Sequence, residues 1–223
     1  MSEPLKIQIW SDIACPWCYI GKRMFEAGSD LFSAAGGGRG VEVEYRSFEL
    51  SPDTPVDFDG SEADFLAGHK GIPAAQVQQM LERVTGVAAS VGLDYDFDAL
   101  KHTNTVRAHE LLHFGKAQGK QRELVERLFR AYFVEGRHVG RAEDLATLAA
   151  EVGLDRAAAL AALESSEFRE AVRVDQAVAR EYGITGVPFF VIDGKYGVSG
   201  AQGTAAFAQA LEQAWTERTA ATA

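Results

Sequence analysis

The chain of 223 residues contains two cysteines, Cys15 and Cys18, set three apart in Cys15-Pro16-Trp17-Cys18 directly after the apolar run Ile7, Ile9, Trp10. A pair at that spacing, where a strand gives way to a helix, constrains the chain more than any other stretch. The first turn of a helix offers unpaired N–H groups and a partial positive charge, and both favour a thiolate. A free cysteine is only about 3% ionised at pH 7, and such a position can bring its pKa into the range of roughly 3.5 to 7.5. Cys15 is therefore expected to be the nucleophile and the more exposed, lower-pKa thiol. Cys18, one helical turn further on, is expected to attack a mixed disulfide on Cys15 and release the partner. Pro16 suits the first turn, where a proline sacrifices no helical hydrogen bond.

A zinc site would need two further ligands. No second cysteine pair exists, and His69, His102, His109, His113 and His138 lack the short paired spacing of a finger, although His109 and His113 stand four apart on an expected helix. No metal is expected. A purely structural disulfide is also poor, because so short a loop removes little chain entropy. The formal net charge of −10 argues against nucleic acid and anionic membranes as partners. With Met1 to Pro4 before the first strand-like residues and no apolar run near membrane-spanning length, neither export nor membrane insertion is expected. With no cysteine outside the motif, the expected setting is the reducing cytoplasm.

Leu5 to Trp10 alternates as a strand, and Tyr19 to Leu31 reads as a helix with a stripe of Ile20, Met24, Ala27 and Leu31. The glycine run at 36–40 is expected to be a surface loop, and Val41 to Leu50 a second strand. Together these predict a right-handed βαβ unit with the cysteines at the carboxyl edge of the sheet. Beyond Ser51 the character changes. Asp53, Asp57, Asp59, Glu62 and Asp64 read as a solvated link, since they lack calcium-loop spacing. Helices are then expected over Ala74–Val91, Thr105–Gly119, Gln121–Glu135, Glu143–Val152 and Asp155–Leu163. A further helix, capped by Ser165 or Ser166, runs to Tyr182. Phe189 to Ile192 reads as a buried strand, Asp193-Gly194 as a hairpin turn into Tyr196–Ser199, and Thr204 to about Arg218 as a closing helix.

This constellation resembles the thioredoxin superfamily, in particular the DsbA-like oxidoreductases and their FrnE-like branch. The resemblance is carried by Trp10-Ser11-Asp12 through Cys15-Pro16-Trp17-Cys18-Tyr19-Ile20-Gly21, Phe48-Glu49-Leu50, Asn104-Thr105, Ala131-Tyr132-Phe133 and Gly186-Val187-Pro188-Phe189-Phe190. It implies an α/β thioredoxin fold with a large all-helical insertion between the N-terminal βαβ unit and the C-terminal ββα unit. The discontinuous thioredoxin-like domain is expected at 1–52 and 178–223, and the helical insertion at 53–177. The resemblance also implies a cis Val187-Pro188 bond beside the cysteines, with the preceding backbone pairing with a substrate strand. Pro16, Trp17, Phe48 and Asn104 are the other expected substrate-binding positions, Asn104 serving equally well as a helix cap. Relatives that carry histidine inside the motif can stabilise a thiolate through its imidazole, whereas Trp17 has no positive charge to offer.

The expected function is that of a dithiol-disulfide oxidoreductase acting on protein or small-molecule disulfides. It would need an external electron donor and no bound cofactor, with glutathione as a possible co-substrate. Two alternatives are a glutathione-linked isomerase or transferase resembling 2-hydroxychromene-2-carboxylate isomerase and kappa-class transferases, and a chaperone or binding module using an apolar cleft around Trp17, Phe48 and Phe189. The first alternative typically activates glutathione with serine, so two retained cysteines argue against it.

Overall fold

Alternation in Leu5–Ser11 makes β1, with Leu5, Ile7 and Ile9 buried on one face and Trp10 buried on the other. The computed structural model describes residues 3–36 and 39–222. Gly37 and Gly38, the centre of the expected glycine loop, lie outside the described residues. β1 is an inner strand of a four-stranded sheet of order β2-β1-β3-β4. It pairs in parallel with β2 (Val41–Ser47) and antiparallel with β3 (Phe189–Ile192), which turns back into β4 (Tyr196–Ser199). The Asp193-Gly194 turn has both φ angles positive, 51° and 66°, as a tight hairpin requires.

α1 (Pro16–Ala34) packs on the face of Ile7 and Ile9 together with the closing helix α9 (Thr204–Thr222). The expected stripe on α1 is rotated. Ala27 and Leu31 are exposed, and the inward positions are Ile20, Phe25, Gly28 and Phe32. Gly28 explains the rotation: a Cβ there would lie 2.8 Å from both Phe207 Cβ and the Thr204 carbonyl oxygen. The helix turns its bare backbone to α9, which lets Phe25 meet Phe190 and Phe207.

Between β2 and β3 run α2 (Glu62–Lys70), α3 (Ala74–Ser90), α4 (Val106–Ala117), α5 (Gln121–Phe133), α6 (Ala142–Glu151), α7 (Arg156–Glu164) and α8 (Arg169–Glu181). α2 is a helix within the stretch expected to be a solvated link. Its signal was a capping box, in which the Ser61 hydroxyl accepts from Asp64 N–H while the Asp64 carboxylate accepts from Ser61 N–H. Glu62 is buried rather than solvated. β2 ends three residues before Leu50, because Phe48 N–H turns to the Ser11 carbonyl and Leu50 N–H to Asp12 Oδ2. α8 starts at Arg169, later than expected. Ser166 takes a left-handed φ of 53° and the following N–H returns to Ala162, so these serines end α7 instead of capping α8.

α8 covers the other face of the sheet, where Trp10 meets Ala179, Ile184 and Val191. Its Asp175 is the principal fastening. The carboxylate accepts from Ser47 N–H and Arg46 Nη1, each at 2.9 Å, and lies 3.1 Å from His113 Nε2 of α4, while the Asp175 carbonyl accepts from Trp10 Nε1–H at 3.0 Å. Burial pushes this carboxyl up, but His113, the Ser47 N–H and Arg46 outweigh it and hold it below its ordinary value. Among the described residues no helix is long and apolar enough to cross a membrane.

Three outcomes follow from this packing. Asp175→Ala should cost about 3 kcal/mol in urea unfolding, since it strands Arg46, His113 and a buried N–H together. A carboxylate held below its ordinary value stabilises the fold fully above that value and less as pH falls through the folded one. Wild-type stability should therefore drop below about pH 4, and the drop should be smaller in Asp175→Ala. Gly28→Ala should cost about 1 to 3 kcal/mol by forcing α9 away from α1, read as a lowered thermal midpoint.

Candidate active site

The chain leaves β1 at Ser11 and must enter α1 within four residues. Asp12 makes that turn possible. Its side chain is buried, accepts from Leu50 N–H at 2.8 Å and from Ala14 N–H at 3.3 Å, and faces His109 Nε2 of α4 at 3.3 Å. Burial pushes the Asp12 carboxyl up, yet the bonds to His109, Leu50 and Thr105 leave it below its ordinary value. The Asp12 carbonyl in turn accepts from Cys15 N–H, which sets Cys15 as the N-cap of α1 with extended backbone and Pro16 in the first turn.

Cys15 Sγ–H donates to the Val187 carbonyl oxygen at 3.5 Å, and the Val187-Pro188 bond that follows is cis. Pro188 sits against α1 at Gly21, where an added Cβ would lie 3.0 Å from the proline ring. No disulfide joins Cys15 and Cys18 in this structure. Both thiols are buried, so the expected difference in exposure between them is small: Cys15 and Cys18 are 4% and 3% exposed. They differ in what they face. Cys15 lines an open hollow, and Cys18 lies in the core below it. Burial pushes the Cys18 thiol well up, and the neighbouring Cys15 sulfur adds to this, while the nearby Ser11 hydroxyl and Asp12 backbone oppose it.

The hollow beside Cys15 measures about 290 Å³. Pro16, Trp17 and Val187 border it, and Trp17 is partly exposed at its rim. The opposite wall comes from the helices between β2 and β3, notably Phe65, Leu66, Leu81 and Val84, with Phe97 beside them. These helices are held over the motif by aromatic packing and a hydrogen bond. Tyr19 stacks on Phe129 at 5.0 Å, Tyr95 stacks on Phe133 at 4.7 Å, and Tyr95 O–H donates to the Pro16 carbonyl at 2.8 Å. A hollow of about 350 Å³ lies elsewhere on the sheet, around Lys6, Glu42 and Asp193, and has no cysteine in its wall.

Pro16, Trp17, Val187 and Pro188 thus gather around Cys15. Phe48 does not line the hollow; it packs with Trp10, Ile184 and Phe189 on the far side of the sheet. Asn104 spends its side chain locally, donating to the Pro52 carbonyl at 2.8 Å and accepting from Val106 N–H at 3.0 Å, as a residue that fixes the start of α4 does. Its neighbours Thr103 and Thr105 are the ones that reach the hollow. Sequence reasoning missed Asp12, Glu62, His102 and Tyr95. For Glu62 the capping box was a usable signal; the other three are brought in by tertiary packing alone. Among the described residues no cluster of three or more His, Cys, Asp or Glu side chains could hold a metal ion.

Comparison with known proteins agrees with this geometry. Uncharacterized protein YwbO of Bacillus subtilis (strain 168) is 33% identical over 209 residues, covering 92% of this chain and 94% of that protein. The crystal structure of a probable DsbA oxidoreductase from Streptomyces coelicolor superposes with a TM-score of 0.87 at 39% identity, covering 96% of this chain and 91% of the other. The cytosolic disulfide reductase DsbM from Pseudomonas aeruginosa, solved with GSH, shares the fold at a TM-score of 0.64 and 19% identity, over 93% of this chain and 98% of that one. The family model for the DSBA-like thioredoxin domain matches residues 6–212, and the chain belongs to that family of DsbA-like oxidoreductases.

Proposed function

We propose that the protein is a cytoplasmic thiol-disulfide oxidoreductase in which Cys15 is the exchanging thiol and Cys18 the resolving one. The observation that carries this reading is the meeting of Cys15 Sγ with the Val187 carbonyl at the mouth of an open hollow, with Cys18 buried one turn behind it. A Cys15 thiolate attacks a disulfide, forms a mixed disulfide and expels one thiolate. Cys18 then loses its proton, attacks the Cys15 sulfur and expels the second thiolate, leaving a Cys15–Cys18 disulfide. Burial suits Cys18 to that second step, since a thiol pushed up stays protonated and idle until the mixed disulfide forms beside it. The Val187 carbonyl and the backbone before Pro188 form the edge against which an extended substrate would lie. In a reducing compartment the reaction runs toward disulfide reduction or isomerisation, and an external donor restores the dithiol. No cysteine outside the motif is available to relay electrons within the chain.

Cys15→Ala should abolish reduction of a protein disulfide, while Cys18→Ala should accumulate a mixed disulfide on Cys15, seen as an adduct in intact-mass spectra. Equal residual turnover in the two variants would remove the pair from the mechanism. A second outcome concerns protonation. In the reduced protein a small alkylating agent at pH 7 should label Cys15, and Cys18 in Cys15→Ser should resist labelling until well above its ordinary value of 9.0.

A further inference from the structure

The hollow beside Cys15 holds a buried acid–imidazole pair that exchange with an extended protein strand does not use. Glu62, the first residue of α2, and His102, in the segment before α4, come from positions forty residues apart in the chain and meet at 2.7 Å between Oε2 and Nδ1. Both side chains are more than nine-tenths buried, and both line the hollow. His102 is stacked on Phe65, which fixes its ring plane. With Nδ1 taken by Glu62, the other ring nitrogen, Nε2, is buried with no hydrogen-bond partner. A buried polar atom in that condition is unfavourable, and a ligand supplying the missing partner would remove the penalty.

The charge of the wall limits what that ligand can be. The acidic and basic groups lining the hollow are Asp12, Glu62, Cys15 and His102, and among the described residues no lysine or arginine lines it. Each glutathione would bring two carboxylates and one ammonium, a net negative charge, toward two buried acids, with no lysine or arginine in the wall to receive the carboxylates. The remaining wall is largely apolar, from Phe65, Leu66, Leu81, Val84 and Phe97, and its volume suits a small molecule at the lower end of the usual range.

We propose that this hollow binds a neutral low-molecular-weight disulfide whose apolar arm lies along α2 and α3 and whose hydroxyl pairs with His102 Nε2. This rests on the oxidoreductase reading and names the substrate class for the same site. A hydroxyl serves the ring in either state, donating to a bare Nε2 or accepting from Nε2–H. The exchange balances. The Cys15 thiolate attacks one sulfur of RSSR, a Cys15–SR bond forms as the S–S bond breaks, and RS⁻ leaves. The Cys18 thiolate attacks Cys15, the second RS⁻ leaves, and the two released thiolates take up the two thiol protons. The protein dithiol has lost two electrons and RSSR has become two RSH.

The test is single-turnover oxidation of the reduced protein by bis(4-hydroxybutyl) disulfide, dibutyl disulfide and glutathione disulfide. Each rate is divided by that probe's rate with dithiothreitol, which removes intrinsic reactivity. The hydroxybutyl probe should exceed both others by about tenfold after this correction. In Glu62→Leu/His102→Phe, which removes both polar partners so that neither is left unpaired, the hydroxybutyl-to-butyl ratio should fall to near one. In Leu81→Trp, which fills the hollow from α3, the preference of the neutral probes over glutathione disulfide should collapse. Far-UV spectra and thermal midpoints establish that each variant is folded, and if one is not, the other decides. Corrected rates for glutathione disulfide that match the hydroxybutyl probe, or ratios unchanged in a folded variant, would overturn the proposal while leaving the oxidoreductase reading in place. Failure of the reduced protein to react with any of the three, or with a protein disulfide, would sink both.

Discussion

The buried carboxylate of Asp12 is the constraint on which the site depends. A strand that ends in the sheet cannot become a helix in four residues unless the intervening N–H groups find acceptors, and Asp12 provides them for Ala14 and, from the next strand's exit, for Leu50. One side chain thus ties the turn before α1 to the end of β2 and, through His109, to α4. The position of Cys15 follows from this, because its N–H is spent on the Asp12 carbonyl. The sulfur is left facing Val187 and the hollow. The tie is electrostatic as well as geometric: an ionised Asp12 is sustained in the interior by donors that would otherwise be unsatisfied.

The opposite face of the sheet repeats the device with different residues. Asp175 of α8 gathers Ser47, Arg46 and His113 while its own carbonyl takes the Trp10 indole N–H. His109 and His113, four apart on α4, therefore serve two different carboxylates, Asp12 and Asp175. The four-residue spacing, which is also that of paired metal ligands on a helix, here reflects a helix wedged between two buried acids. Buried charges of this kind persist only when every lone pair is engaged, which explains why each acid has several partners rather than one.

Much of this arrangement was legible in the chain. The Cys-Pro-Trp-Cys motif, the strand before it and the Asp193-Gly194 hairpin each carry local chemistry that fixes local structure, and they lie where the spacing put them. What failed were readings that depended on which face a helix turns inward. Leu31 and Ala27 fit the periodicity of α1, yet Gly28 allows α9 to approach so closely that the inward face shifts to Phe25 and Phe32. Glu62 was read with its acidic neighbours because charge is usually solvated, and nothing local announces that His102 will meet it. Asn104 sits one residue from two threonines that face the hollow, but its amide is consumed by backbone groups. Phe48 lies one residue beyond the end of β2 and packs with Trp10 and Phe189 on the side away from Cys15.

The hollow draws its reactive wall and its receiving wall from separate stretches of sequence. The sulfur, the proline and the carbonyl beside it come from the end of β1 and the entry to β3, whereas Phe65, Leu81, Val84 and His102 come from the helices, and the segment before α4, that lie between the strands. In the proposed reading, reactivity and selectivity are therefore encoded in separate stretches: divergence confined to residues 62–102 would redraw the hollow while Cys15, Val187 and Pro188 stay untouched.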